Sequence, residues 1–434
     1  MSFYSLILSI CIAVTTFLAP LATPVATPEN NDDDFVPVLR FVATSDSHII
    51  TPGDIGSTRV AKMINTTYAY ADADADYTAL DAVLFSGDIT DDGAIISYAS
   101  FVAATDNVLR EGTERLAVVA KSHDCSNYGK KALGIFTELT GQETDFHRII
   151  NGFHFIGIST SDSEEYQYTE EQVKWLDEQL AQAVADAPDQ PVFVFNHEHV
   201  LNTVFGSRSN DGWGLDVFTE VFEKYPQVID ISGHSHYPAN DPRAIWQDTF
   251  TALNDGGLSY YEFTVYNETS VHPSGSKTMT QALVIEVDAE NRVLVKVLDV
   301  NKSKFVDEYL IDNVTDAQKT KYNHEYRASL STAPVFSEDA QLKVSKIAGK
   351  YTVKIPQAET TGDNKVYLYR LTVTDENGNV VHTDWALSEY YFATVPDTVK
   401  FDSFKVSAGT YNVNVVAEDV WGNISTPLTT TINK

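Results

Sequence analysis

Short apolar runs recur through the first half of the chain, and each ends in a polar cluster. The runs are Val38–Ala43, Ala82–Phe85, Leu116–Val119, Pro191–Phe195 and Val228–Ile231. Apolar runs of four to six residues, rich in Val, Ile and Phe and interrupted only at Arg40 and Asp230, predict strands buried on both faces. Helical spacing appears between them. Thr169 can cap a helix start while Gln172 reaches back, and Val173, Leu176 and Leu180 then mark the buried face. A second helical stretch covers Ser57 to Tyr70. From Val38 to about Glu223 this alternation predicts an α/β domain. Beyond His236 the texture turns to strands, Tyr260–Val265, Ala282–Val287 and Val293–Val300, the last two joined by a turn over Asp288–Asn291.

A polar, helix-compatible stretch over Asp312–Ser331 leads to Ala333-Pro334, where a linker is expected. Residues 335–434 read as all-β. Tyr367–Thr374 runs into Asn377-Gly378, a strong hairpin signal, and Val380-Val381 begins the return strand. Tyr411, Val413 and Val415 alternate with polar neighbours, so one face is buried. Ala408–Tyr411 resembles the entry to a late strand of immunoglobulin-like or fibronectin type III sandwiches. The domain boundaries predicted are a leader or N-terminal anchor over 1–26, an acidic spacer over 27–36, an α/β domain over 37–315, a linker over 316–334 and a sandwich over 335–434.

Composition narrows the partners. With 434 residues and 43% apolar content the chain can bury large cores, and its formal net charge of −31 disfavours nucleic-acid duplexes and anionic membranes. Phosphate chemistry on such a chain needs a local positive centre, which bound metal ions supply. Residues 1–28 carry no charged side chain, and Phe3–Leu18 is apolar. A secretory leader, or an uncleaved anchor, is expected, and with it a secreted or extracytoplasmic location. Without Cys11 the mature chain keeps only Cys125, so no intrachain disulfide forms.

The clusters that end the runs are Asp46-Ser47-His48, Gly87-Asp88 with Asp91, Ser122-His123-Asp124, Asn196-His197-Glu198-His199, and Gly233-His234-Ser235-His236. Chemistry gathered at strand ends is a site signature in α/β proteins. Divalent metals of intermediate softness favour imidazole and carboxylate, and a pair of ions needs a carboxylate able to bridge them. Asp46 and His48 can face one ion, Asp88 can touch two, and His197, His234 and His236 supply further nitrogens.

In order and spacing these residues resemble the calcineurin-like metallophosphoesterase family, whose signature runs D-x-H, G-D-x-x-D, G-N-H-D/E, H, G-H-x-H. The match spans Asp46 to His236. The resemblance implies a four-layer α/β sandwich with two central sheets, and a hydrolase acting on phosphoric ester bonds. It implies two divalent transition-metal ions (Mn, Fe, Zn or Ni). The first would be held by Asp46, His48, Asp88 and His236, the second by Asp88, His197 and His234. It further implies a metal-bridging hydroxide as nucleophile, His123 as proton donor to the leaving alcohol, and Asp124 orienting the His123 ring. His199 would neighbour the site without ligating, and Asp91 would support it from a loop. The implied substrate is a small phosphomonoester or phosphodiester, nucleotide-like included.

The third cluster departs from the family. Lys121 replaces the usual Gly, and Ser122 replaces the Asn that ligates the second metal. Ser122 is then a weak ligand at most, and Lys121 a candidate contact to substrate phosphate. Two readings follow: an active phosphoesterase, or a degenerate member that binds a ligand or the cell envelope with weak or no turnover. Purple acid phosphatases place a Tyr after the Asp of the second cluster, and the stretch Asp88-Ile89-Thr90-Asp91 holds none, so that subclass is not predicted. Specificity loops are expected over Ser161–Tyr168 and Val204–Gly214, which carry no readable motif.

Overall fold

The structure is a computed structural model that describes residue 7 and residues 34–162, 167–266, 268–315 and 321–434. Apart from Ile7, the expected leader lies outside the described residues. Among the described residues no helix is long and apolar enough to cross a membrane. The chain divides into two compact units: Met1–Asn240 with Ala244–Asn323, and Asp241–Arg243 with His324–Lys434. Part of the expected linker is therefore folded. His324–Leu330 is a helix of the second unit, and its buried Arg327 donates to the Pro242 carbonyl.

The first unit holds two six-stranded sheets. One has the order Lys304–Ile311, Val293–Asp299, Gln281–Asp288, Pro37–Thr44, Ala82–Phe85, Glu114–Ala117, with the last three strands parallel. The other runs Ile245–Gln247, Thr251–Asn254, Val228–Ser232, Val192–Phe195, Phe153–Gly157, Phe146–Ile150, with the inner four parallel. Because side chains alternate across a strand, each run feeds two layers at once. Phe41, Leu84 and Leu116 point between the sheets and meet Phe155, Phe193 and Ile231. Phe41 sits edge-on to Phe155 at 5.1 Å and to Phe193 at 4.8 Å, the geometry aromatic quadrupoles favour. On the outer faces, Val42, Val83 and Phe85 pack against the helices Ile55–Ala73, Ile95–Asp106 and Lys131–Thr140. Val192, Val194 and Val228 pack against Leu176, Leu180 and Ala183 of the helix Glu170–Asp186. Helices, sheet, sheet and helices thus stack as the expected four-layer α/β sandwich.

Local signals account for most element ends. Thr169 and Gln172 form the reciprocal capping box, at 3.2 and 3.1 Å. The first helix starts at Ile55 rather than Ser57 because Asp54 accepts from Ser57 N at 2.8 Å. The third strand ends at Ala117, short of the Leu116–Val119 run, because Val119 N donates to the Ser159 hydroxyl instead of a neighbouring strand.

In the second unit, Lys343–Ile347, Lys350–Pro356 and Thr398–Lys400 form one antiparallel sheet. Val380–Leu387, Val366–Asp375, Thr410–Asp419 and Leu428–Asn433 form another. Val353, Ile355 and Val399 of the first sheet meet Tyr369, Leu371, Val413 and Val415 of the second in one core. The Asn377-Gly378 turn is present, with Gly378 at φ 83° and the Asp375 carboxylate taking the Asn377 and Asn379 amides. Residues 335–434 thus form a separate all-β sandwich.

Candidate metal centre

Six donors stand just past the ends of four parallel strands. Asp46 and His48 follow Pro37–Thr44, Asp88 follows Ala82–Phe85, His197 follows Val192–Phe195, and His234 and His236 follow Val228–Ser232. The loops that carry them are laced together: Asp46 N donates to Gly87 O at 3.1 Å, His48 N to Asp88 O at 3.2 Å, and Gly233 N to His197 O at 3.0 Å. Five of the six have left-handed backbones, with φ of 51° at Asp46, 47° at His48, 45° at Asp88, 68° at His234 and 54° at His236. Each such residue costs roughly 1–2 kcal/mol, and Asp and His tolerate it better than most. Strain of this kind persists only where the surroundings over-determine it.

The donors fall into two triads. Asp46 Oδ1 lies 3.1 Å from His236 Nε2 and 3.7 Å from His48 Nε2, and the two ring nitrogens are 3.4 Å apart. His197 Nε2 lies 3.2 Å from Asp88 Oδ2 and 3.1 Å from His234 Nδ1. Outer acceptors fix three of the rings. His197 Nδ1 faces Ser86 O at 3.0 Å, His236 Nδ1 faces Tyr260 O at 3.1 Å, and His48 Nδ1 faces Asp91 Oδ1 at 3.1 Å. Each acceptor can hold the Nδ1 proton, leaving the Nε2 lone pair directed inward.

Electrostatics point the same way. Burial alone would raise Asp46, but His236, His48 and His197 outweigh it and hold the carboxyl well below its usual range. Asp88 is likewise lowered, burial being outweighed by His197. Burial would depress His48, yet its bonds to Asp46 and Asp91 push it up to about 10, and Asp88 lifts His197 well above the ordinary value. Burial and His197 depress His234. Protons thus balance the carboxylates in the ion-free cluster. The donor set fits divalent ions: buried Asp46 Oδ1 has only the His236 and His48 rings before it, and each triad offers a carboxylate oxygen and two imidazole nitrogens.

The third cluster is placed differently from expectation. Ser122 Oγ donates to Asp88 Oδ1 at 2.7 Å, and His123 N donates to the same oxygen at 3.1 Å. The His123 ring is half-exposed, edge-on to His48 at 4.3 Å, with Nδ1 3.2 Å from Asp91 Oδ1. Asp124 does not orient this ring, contrary to the sequence reading. Its buried carboxylate accepts from Thr90 N and Oγ1 at 2.8 Å each and from Ala120 N at 3.1 Å, pinning the loop after Asp88. The next side chain along points away from the ring of its predecessor, so Asp91 takes the orienting place. Burial and the Asp88 charge push Asp124 up to about 6.

Other expectations resolve simply. His199 is buried with Nδ1 on Ser232 Oγ at 2.9 Å and Nε2 on Ser235 Oγ at 2.7 Å, and burial pushes it down to about 3. It is a neutral packing residue. Burial pushes the Cys125 thiol up to about 12, which makes it inert. Lys121 is half-buried beside the site.

Three contributors escaped the sequence reading. Asp255 accepts from Ser45 Oγ at 2.7 Å and from Ser86 Oγ, tying the loops of Asp46 and Asp88 together. Tyr260 stacks on His236 at 4.1 Å, and Trp213, from the Val204–Gly214 loop, meets His234 edge-on at 5.1 Å. The one available signal was the turn-rich Asn254-Asp255-Gly256-Gly257, where a Cβ added at Gly257 would lie 3.4 Å from Asp46 Cβ.

The order and spacing of these donors are those of a metallophosphoesterase site, and residues 39–238 match the family described as calcineurin-like phosphoesterase. No curated protein is matched by this sequence. Among solved structures, a purple acid phosphatase from yellow lupin (Lupinus luteus) seeds aligns at 14% identity and TM-score 0.45, over 67% of this chain and 55% of its own. The chain thus spans little more than half of that relative. Fibronectin(III)-like modules of Clostridium thermocellum CbhA align at 16% identity and TM-score 0.16, over 38% of this chain and 65% of theirs.

Proposed function

We propose that the chain is an exported, metal-dependent phosphoester hydrolase acting on a small phosphomonoester or phosphodiester. The observation that carries this reading is the convergence of six donors, five on strained backbone, into the triads Asp46–His48–His236 and Asp88–His197–His234. Asp46, His48, Asp88 and His236 would hold one divalent ion, and Asp88, His197 and His234 the other, with Ser122 a weak neutral donor beside it. Two ions there would acidify water and neutralise charge on the phosphoryl oxygens.

The chain's own groups supply the rest. His123, half-exposed and held through Nδ1 by Asp91, would pass a proton to the leaving alkoxide. Asp124 fixes the loop on which Asp88 sits. Lys121 would be a candidate contact to a substrate phosphate. The apolar N-terminal segment supports export, with the second unit a candidate for holding the protein at the cell envelope.

Purified protein is expected to retain about two transition-metal ions per chain and to hydrolyse nitrophenyl phosphate or its bis-ester, and Asp88→Ala should abolish both properties. Metal-loaded protein inert to both esters at every pH and metal tried would overturn the reading. One observation favours a degenerate, non-hydrolytic member instead: Ser122 stands in place of an amide ligand and donates its proton to Asp88. Ser122→Asn separates the two, because a large gain in metal occupancy and rate marks degeneration and no gain marks an accepted variant.

A further inference from the structure

The acidity of the chain is unevenly spread. Residues 335–434 hold 9 Lys and Arg against 12 Asp and Glu, whereas the whole chain holds 30 against 61. Three of the eight lysines of that segment line up on one sheet face. Lys343 stands directly opposite Lys354, and Lys354 directly opposite Lys400, across the three strands of the smaller sheet. All three are exposed, while Val353, Ile355 and Val399 between them point into the core. Their backbones are roughly 5 Å apart, so three ammonium groups form one row about 10 Å long. Like charges directly opposite on a sheet face are destabilising. Among the described residues, none of the three has a carboxylate within ion-pair distance.

A concavity of about 320 Å³ opens on this row, lined by Lys343, Lys354, Gln341, Thr398 and Ser337. Asp339 is the single carboxylate in its lining, and Ser337 Oγ donates to it at 2.8 Å. We propose that the open face of this three-stranded sheet is a docking surface for an acidic polysaccharide, a linear glycan carrying one carboxylate per repeat.

The charge pattern favours that occupant over other polyanions. The face presents no aromatic ring for base stacking and no guanidinium fork for bidentate phosphate contact, only point charges with neighbouring hydroxyls at Ser345 and Thr352. A duplex or an anionic bilayer spreads dense charge over a wide field, which the acidic remainder of the chain repels. A thin, sparsely charged glycan needs no wide basic field and can engage the row within one Debye length, about 8–10 Å.

The test uses the full chain and polygalacturonate of defined length in titration calorimetry, with dextran as the neutral control. Binding to polygalacturonate but not dextran is expected, and it should fade between about 50 and about 300 mM salt as screening shortens. The triple variant Lys343→Gln, Lys354→Gln, Lys400→Gln should bind at least tenfold more weakly, whereas Lys174→Gln on the first unit should bind as the parent does. Circular dichroism checks the fold, and if the triple variant fails to fold, Lys354→Gln alone should still weaken binding several-fold. Binding no better than to dextran, or undiminished in a folded variant, overturns the proposal. So does tighter binding to a single-stranded oligonucleotide or to anionic phospholipid vesicles than to the glycan.

Discussion

Replacing Gly87 by Ala tests whether the loops of the metal centre are as tightly set as their geometry implies. Gly87 has φ 103°, and a Cβ there would lie 2.7 Å from His197 Nδ1 and 2.8 Å from its Cβ and Cγ. His197 is fully buried and held by Ser86 O, so its ring has nowhere to retreat. The backbone conformation costs an L side chain roughly 1–2 kcal/mol. Overpacking a rigid site adds about 1–3 kcal/mol, for a total of roughly 2–5 kcal/mol. In a unit of this size that lowers the melting temperature by roughly 4–20 °C. Gly112→Ala is the control, because Gly112 also has positive φ, 93°, but nothing lies within 4 Å of its added Cβ. It should lose only the backbone part. Calorimetry gives the two melting temperatures and elemental analysis the metal retained. Gly87→Ala should lose more stability than Gly112→Ala and also lose metal, since His197 must shift. Equal losses, or a Gly87→Ala protein that keeps its metal, would refute the reasoning.

Two other predictions concern protons. Asp230 is fully buried in Val228–Ser232, its Oδ1 has no partner, and burial raises its pKa well above the ordinary carboxyl value. The native state therefore keeps a proton that the unfolded chain releases above about pH 4, so this residue makes stability fall as pH rises from there. Asp230→Asn should remove that fall, by up to about 1.4 kcal/mol per pH unit, and denaturant titrations at acid and neutral pH with equal slopes in both proteins would contradict it. Metal uptake should release protons near neutral pH, because His48 at about 10 and His197 above its usual range hold protons in the ion-free cluster. The stability these raised histidines give the ion-free protein is present below their unfolded pKa and is lost as pH rises through about 10. Calorimetric titration with zinc in buffers of different ionisation enthalpy counts the released protons, and none released would sink the idea.

Where residues act through near neighbours, the sequence was readable. The strand runs, the Thr169 capping box and the Asn377-Gly378 turn each rest on contacts within a few residues, and the structure has them. Asp46, His48, Asp88, His197, His234 and His236 could be picked out because each ends an apolar run. Supporting contacts were harder, since they join segments far apart in the chain. Asp91 reaches His123 across 32 residues, and Asp255 reaches Ser45 across 210. No local pattern distinguishes Asp91 from Asp124 as the partner of His123, and only the direction of each side chain decides it. The helix His324–Leu330 was readable as helix-compatible, but its attachment to Pro242 depends on packing that sequence spacing does not encode.

The left-handed backbone at Asp46, His48, Asp88, His234 and His236 has a consequence for how this site can change over time. Conformations of that kind are open mainly to Gly, Asn, Asp and His, and closed to β-branched side chains. Replacement at these five positions is therefore filtered twice, once by chemistry and once by φ. A descendant that abandoned hydrolysis would still be confined to a short list of residues here, several of them metal donors. Persistence of Asp and His at these positions among relatives would then record the shape of the loops as much as the use of the metals, whereas His197, whose backbone carries no such restriction, is free to drift as soon as binding is no longer selected.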